Sequence, residues 1–506
     1  MGLEKNINRR KFLGSAAAAT AAFSVVPRHV LGGPGFVAPS DKINLGYIGV
    51  GTQGLRELMR VLAEPEIQVT AVCDPNTDST DYVDWSKNGL RDGIRRFLEN
   101  PTWGEGVDGI RAGREVGREI VEAYYAKNKP SGTYKGCAAY ADFRELLEKE
   151  SGLDAVKIMT PDHLHATVAI AAMKKGKHVV MHKPVSNVMH EARLVIDTCR
   201  DMKVATHLSA WMGGTSIVRI KQWIDDGAIG RLREVHNWIN KPIWPQWPSA
   251  PSETPPVPKG FDWDLWLGPA LDRPYHPNYT HAVFRGWYDF GSGILGDMGN
   301  YSLWPVFMEF NLDAPVSVEA NASFTCEVVD HVSGMHENTV SFPIASTMRF
   351  RFAARGAQPA LDIFWYDGGM RPPMPEELEA DNQEMPDSGM LFVGDSGKIL
   401  GDFNGNQPKI IPESRMKDFQ GAENAEERQR GLRGRGDTDW IEAFKGGPPS
   451  PGNFLAVRAC AETICLGAVA IRTGRKIVWD SANMKITNVP EANDLLYRKY
   501  RKGWEL

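Results

Sequence analysis

An α/β fold in two parts is predicted: a parallel strand–helix domain over 41–208, then an α/β domain over 209–506 built on a large, mostly antiparallel open sheet. Three observations carry this. Short apolar runs starting at Ile43, Gln68, Asp154 and Lys177 alternate with stretches of helical spacing in the first part. The first of these runs enters a glycine turn that leads straight into a helix. Residues 315–412 instead supply β-like runs at Val316–Val328, Thr339–Ala353, Leu361–Tyr366 and Met390–Phe403, which favour antiparallel pairing with one open face.

The glycine turn comes first because the rest is arranged around it. Gly49, Gly51 and Gly54 follow the strand from Ile43, and Leu55, Leu58, Met59 and Leu62 then recur at helical spacing. Glycines here permit a tight turn and a close approach to a pyrophosphate, and the helix start at Thr52 and Gln53 offers free N–H groups to it. The second strand ends at Asp74, where the dinucleotide fold places an acid. Strand, turn, helix and acid together predict a Rossmann domain. A carboxylate accepts from a ribose 2'-OH and repels a 2'-phosphate, so NAD is favoured over NADP.

The chain of 506 residues suits two or three domains, and 24% charge with a formal net charge of -5 gives no sign of nucleic-acid binding. Its six cysteines lie far apart without metal-ligand spacing and read mostly as buried thiols, so no metal site is expected. Residues 1–40 are a different kind of sequence. Asn8-Arg9-Arg10-Lys11-Phe12-Leu13 precedes an apolar run from Ala16 to Val26, too short to span a membrane as a stable helix. The paired arginines resemble a twin-arginine export signal, which predicts a periplasmic or secreted protein without a membrane anchor after cleavage.

A long polar insertion, 75–136, follows Asp74; its Trp85 and Trp103 are candidates to cover the cofactor or to meet a neighbouring subunit. The segment Thr160-Pro161-Asp162-His163-Leu164-His165 begins a helix where a parallel strand ends, which sets these residues at the ligand-binding edge of the sheet. The next strand delivers Lys183 to the same edge, before Pro184, which favours an extended backbone there. A lysine desolvated beside a nicotinamide has a lowered pKa and can exchange a proton with a substrate hydroxyl. Two histidines two apart, without carboxylate or cysteine partners, do not predict a metal centre.

The glycine turn, Thr-Pro-Asp-His-Leu-His, Gly-Lys-His-Val-Val and Lys-Pro, in this order, resemble the Gfo/Idh/MocA oxidoreductases, over nearly the whole chain after residue 40. The resemblance implies that Lys183 binds the substrate and assists proton transfer. The family usually carries Glu-Lys-Pro, whereas this chain has His182-Lys183-Pro184, which leaves His182 as a supporting or structural group. In Arg285-Gly-Trp287 through Tyr301, Asp297 and Tyr301 are four apart and share a helix face. The family has Asp-x-Gly-x-His here, so the resemblance gives Asp297 a catalytic role. Tyr301 stands where a histidine is usual, and a phenol is the poorer base at neutral pH.

Trp211, Arg285 and Trp287 are further candidate substrate contacts. The loop 241–277, with Trp244, Trp247, Trp263 and Trp266, offers indole faces to a sugar, or pins itself down with them. The Ala-, Cys- and Leu-rich helix 454–472 is expected to be buried between the domains. The leading function is an oxidoreductase acting on a sugar, cyclitol or glycoside with tightly bound NAD, as a homodimer or homotetramer. The alternatives are an NAD-dependent glycosidase or lyase working through transient oxidation, and a non-catalytic sugar- or cofactor-binding protein.

Overall fold

The computed structural model describes residues 37, 41–128, 134, 136–210, 215–336, 338–419 and 440–506. The expected export signal therefore lies almost wholly outside the described residues, as does Trp211.

Strand β1 (Ile43–Ile48) enters the glycine turn and α1 (Thr52–Ala63), and β2 (Ile67–Cys73) follows. Helix α1 turns Leu55, Leu58, Val61 and Leu62 into the core, one stripe at helical spacing. The polar insertion contains α2 (Gly89–Leu98) and α3 (Arg114–Asn128). Because α3 packs on β2 and on β3 (Ala138–Tyr140), it is the crossover helix that a parallel β2–β3 connection requires. The true insertion is thus shorter than the sequence suggested.

Helix α4 (Phe143–Lys149), β4 (Ala155–Ile158), α5 (His165–Lys174), β5 (His178–Met181), α6 (Met189–Met202) and β6 (Thr206–Leu208) complete this part. Its six strands run parallel in the order β3-β2-β1-β4-β5-β6. The order reverses between β1 and β4, so a crevice opens beyond their carboxyl ends, where such sheets bind ligands. Lys157 is the exception in the apolar interior of β4. Its ammonium lies 3.3 Å from the Glu57 carboxylate on α1, which ties the helix behind the glycine turn to the sheet.

The second part starts with α7 (Thr215–Asp225) and β7 (Leu232–Trp238), and α8 (Trp263–Leu267) and α9 (Gly293–Glu309) precede its remaining strands. These are β8 (Ser317–Ala322), β9 (Thr325–Val329), β10 (Val332–His336), β11 (Ser346–Phe352), β12 (Leu361–Tyr366), β13 (Gly389–Gly394), β14 (Lys398–Gly401) and β15 (Lys409–Ile411). After α10 (Trp440–Phe444) and α11 (Phe454–Thr473) come β16 (Ile477–Asp480) and β17 (Lys485–Ile486). Nine strands form one sheet in the order β15-β14-β13-β7-β12-β11-β8-β16-β17, antiparallel except for the β7–β12 pair.

Strand β11 shows why one face is open: Met348, Phe350 and Phe352 are buried, while Arg349 and Arg351 alternate outward and pair with Asp362 of β12. The expected strand over 316–328 breaks after Ala322, and β9 and β10 leave the sheet as a separate hairpin. The expected strand from Thr339 starts only at Ser346, since Pro343 has no N–H for a ladder.

Helix α11 packs on α9 and β8 and also on α6 and β6, so it touches elements of both parts. It is apolar and long enough to cross a membrane by length alone, yet most of it is buried inside the protein. A Cβ on Gly467 would overlap Leu295, so glycine sets the close α9–α11 crossing. Cys73, Cys137, Cys199, Cys460 and Cys465 are buried free thiols, and Cys326 is exposed on the hairpin.

Candidate active site

The glycine turn has the geometry its sequence demands. Gly49 adopts φ +98°, and a Cβ there would sit 2.5 Å from the Met159 carbonyl carbon after β4. Only glycine lets the turn pass so close to β4. A Cβ on Gly54 would overlap the Gly49 carbonyl oxygen, so the third glycine seats α1 directly on the turn. Gly51 caps α1 with no side-chain hydrogen bond, leaving the first-turn amides of Thr52, Gln53 and Gly54 for an anion.

At the end of β2, the Asp74 carboxylate accepts hydrogen bonds from the Val50 amide at 2.7 Å and the Asn76 amide at 2.9 Å. Burial raises its pKa, and these two amides oppose that shift. They fix the carboxylate beside the turn and leave each oxygen a free lone pair for a ribose hydroxyl. The turn and the acid together fit a dinucleotide.

From here a cavity of about 410 Å³ runs to Lys183, Asp297 and Tyr301. Tyr82 and Trp85, from the insertion, and Phe261 and His281, from the second part, also border it. The Thr77 amide donates to the Gly260 carbonyl at 2.9 Å, and the Asp262 amide to the Pro75 carbonyl at 3.1 Å. The proline- and tryptophan-rich loop is thereby stitched across to the segment that follows Asp74.

At the other end, the ammonium of Lys183 pairs with the Asp297 carboxylate, which the Arg285 guanidinium also reaches at 3.3 Å. The Lys183 side chain is 3% exposed. Burial lowers its pKa, with Asp297 pulling the other way. Burial works against the Asp297 anion, but Lys183 and Arg285 outweigh it and hold that carboxyl below its ordinary value. Helix α9 starts at Gly293, so Asp297 sits inside it and not at a cap, on the face it shares with Tyr301. A Cβ on Gly291 would overlap the Arg285 backbone, which explains how the chain folds back to bring Arg285 to Asp297.

The Tyr301 hydroxyl and His182 Nε2 share a 3.2 Å hydrogen bond, and the Lys183 ammonium lies 5.4 Å from the Tyr301 ring centre. Burial, then Lys183 and Arg285, push the His182 pKa well below its usual value, so the imidazole is neutral.

Several expected contacts lie elsewhere. Thr160, Pro161 and Asp162 border the cavity, but His163 and His165 turn into the protein. His163 Nε2 faces the Trp266 carbonyl oxygen at 2.9 Å, and burial pushes its pKa down to about 3. His165 sits between the Pro184 and Thr160 carbonyl oxygens, at 2.6 and 3.0 Å. Both hold the backbone of the site and do not touch the cavity.

Trp287 is also structural: its indole N–H donates to the Asn278 carbonyl at 2.7 Å, and its ring stacks on Trp247. Trp263 stacks on Trp266 within the same aromatic cluster, so the loop mainly packs against itself. Only Trp244 and Trp266 of its four tryptophans border the cavity. Lys241, Tyr82, Phe261 and His281 were not anticipated. They reach the cavity from distant parts of the chain and carry no spacing signal.

Residues 114–209 match a Gfo/Idh/MocA model described as an oxidoreductase family NAD-binding Rossmann fold. Residues 214–341 match the companion model, an oxidoreductase family C-terminal alpha/beta domain. The glycine turn, Asp74 and the chain after 341 lie outside these matches. A levoglucosan dehydrogenase of Pseudarthrobacter phenanthrenivorans is 33% identical over 94 residues, 18% of this chain and 24% of that protein. A glycosyl hydrolase family 109 protein of Shewanella baltica is 25% identical over 244 residues, 45% of this chain and 44% of its own length. The chain thus spans less than half of either relative. The WlbA dehydrogenase of Bordetella pertussis, solved with NADH and UDP-GlcNAcA, superimposes with TM-score 0.50 at 13% identity, covering 87% of this chain and 99% of that one. The last match concerns the fold alone. The first domain is an NAD-binding Rossmann domain.

Proposed function

We propose that this chain is a Gfo/Idh/MocA oxidoreductase that interconverts a hydroxyl-bearing carbon of a sugar, cyclitol or glycoside with its carbonyl. The observation that carries the proposal is the Lys183–Asp297 pair, at the far end of a cavity that starts on the glycine turn. When bound, NAD supplies the hydride acceptor for such a reaction. Lys183, with its pKa drawn down by burial, takes the hydroxyl proton, while Asp297 orients the ammonium that results. Tyr301, bonded to neutral His182, donates a hydrogen bond to the reacting oxygen and needs no phenolate. Arg285 shares Asp297 and keeps it ionised across this exchange.

Asp74 supports a preference for NAD over NADP, because a 2'-phosphate would meet a carboxylate held in place by two amides. The levoglucosan dehydrogenase match, short as it is, supports a carbohydrate substrate. The family 109 match favours a second reading, in which the same proton exchange serves redox-assisted cleavage of a glycoside. Incubation with NAD and a panel of sugars and aryl glycosides separates the two. NADH accumulating in step with substrate supports the dehydrogenase, and phenol release without net NADH supports cleavage. Neither product would sink both.

The reading also includes export through a twin-arginine signal in residues 1–40 to the periplasm or beyond. A homodimer or homotetramer belongs to it too, supported by the open sheet and by the β9–β10 hairpin, where Val328, Val332 and Met335 are about 70% exposed.

A further inference from the structure

The charges at the reacting end do not balance. Lys183 and Arg285 both have Asp297, and the Asp162 carboxylate accepts from the Ser292 hydroxyl at 2.8 Å and acts electrostatically on Lys183. A third cation, Lys241, borders the same cavity just past β7. Among the described residues its ammonium has one hydrogen-bond partner, the Met298 thioether at 3.9 Å, a weak acceptor; Asp297 acts on it electrostatically, but no carboxylate lies within ion-pair distance. Among the described residues at this end of the cavity, three cations thus face two carboxylates. Beside Lys241 on the same loop, Trp244 is 6% exposed, and its indole N–H has no acceptor among the described residues. A buried donor and a cation with no carboxylate at contact distance, both bordering the cavity, are the complement of an anionic oxygen group.

We propose that the substrate carries a negative charge, a carboxylate or phosphate, on the part that lies against Lys241, so that the site selects acidic sugars over neutral ones. This rests on the carbohydrate reading above. Hydrogen bonds from a cation to an anion at a partly buried site change affinity by about tenfold or more.

The test is calorimetric titration of the NAD-loaded protein with matched pairs: glucuronate, galacturonate and glucose 6-phosphate, each against its neutral parent. At least one acidic member is expected to bind about tenfold or more tightly than its parent. Lys241→Met should collapse that ratio towards one, and Lys241→Arg should restore it. A uronate or a phosphate ester giving the larger ratio identifies which anion the wall takes. Neutral parents binding as well as every acidic partner would overturn the proposal. So would a ratio untouched by Lys241→Met, or a loss of NADH affinity alone in that variant, which would assign Lys241 to the cofactor. Because the readout is binding, it separates the two claims. Preferential binding without NAD reduction would leave this inference standing and sink the dehydrogenase reading, and turnover without charge preference would do the reverse.

Discussion

Asp297→Asn removes the anion shared by Lys183 and Arg285 and keeps the side-chain volume. In the native site the two cations sit beside one carboxylate, with side chains 3%, 12% and 13% exposed for Lys183, Arg285 and Asp297. Breaking a buried pair by removing one partner costs about 3–5 kcal/mol if the orphaned charge must stay. Arg285 has to stay charged, but Lys183 can lose its proton. Loss of an opposite charge within ion-pair distance shifts a pKa by about 1–3 units, here downward, since Asp297 is what opposes the effect of burial on Lys183.

Two consequences follow from that shift. The stability loss is relieved above the new, lower pKa and grows as the pH falls below it. In the oxidation direction, where Lys183 must be neutral to accept the proton, the acidic limb of the kcat/KM profile moves to lower pH by about 1–3 units. The height of the plateau falls, because the ammonium formed in the reaction has lost its counter-ion. NADH formation followed across pH with the best sugar measures the limb and the plateau, and thermal unfolding across pH measures the stability loss. An Asp297→Asn profile whose acidic limb stays in place, or moves to higher pH, would refute the assignment of Lys183 as the base.

Three further outcomes are expected. Gly49→Ala must accept φ +98° and a Cβ 2.5 Å from the Met159 carbonyl carbon, so it should cost about 3 kcal/mol or more in thermal unfolding and lose NADH binding. Asp74→Ser should narrow the preference for NAD over NADP by about tenfold, read as the ratio of their dissociation constants, with a weaker NAD affinity because the Val50 and Asn76 amides lose their acceptor. Asp81, whose carboxyl is held at about 2 by its hydrogen bond to His281, has a folded pKa below the unfolded one. Its stabilisation is therefore complete above about pH 4 and fades as the pH falls through about 2. With the side chain 47% exposed, solvent screening keeps this under about 1 kcal/mol, seen as a melting-temperature difference from Asp81→Asn that closes in acid.

That Lys183, Asp297 and Tyr301 come together was legible in the sequence because local order fixes it. A strand ending before Lys183-Pro184 brings the lysine to the sheet edge, and a four-residue spacing puts Asp297 and Tyr301 on one face of α9. Gly291 marks the fold-back that delivers Arg285, a close approach that shows only once the two backbones are seen together. The direction of a side chain inside an irregular turn was not legible. His163 and His165 leave the same 160–165 segment as Asp162, yet they point into the protein, where carbonyl oxygens take them. Trp287 fails for a related reason: an indole beside a glycine-rich stretch reads alike whether it meets a sugar or another indole. Residues such as Lys241 and His281 depend on how the long loop crosses the domain boundary, and no local pattern encodes that path.

NAD seated on the glycine turn is expected to present its nicotinamide to Lys183 and Asp297. A crystal structure of the protein with bound NADH tests it most directly. The expected structure has the pyrophosphate on the Thr52–Gly54 amides, a ribose on Asp74, and the nicotinamide ring within contact distance of the Lys183 ammonium. A nucleotide bound in some other groove, or a ring separated from Lys183 by protein, would contradict it.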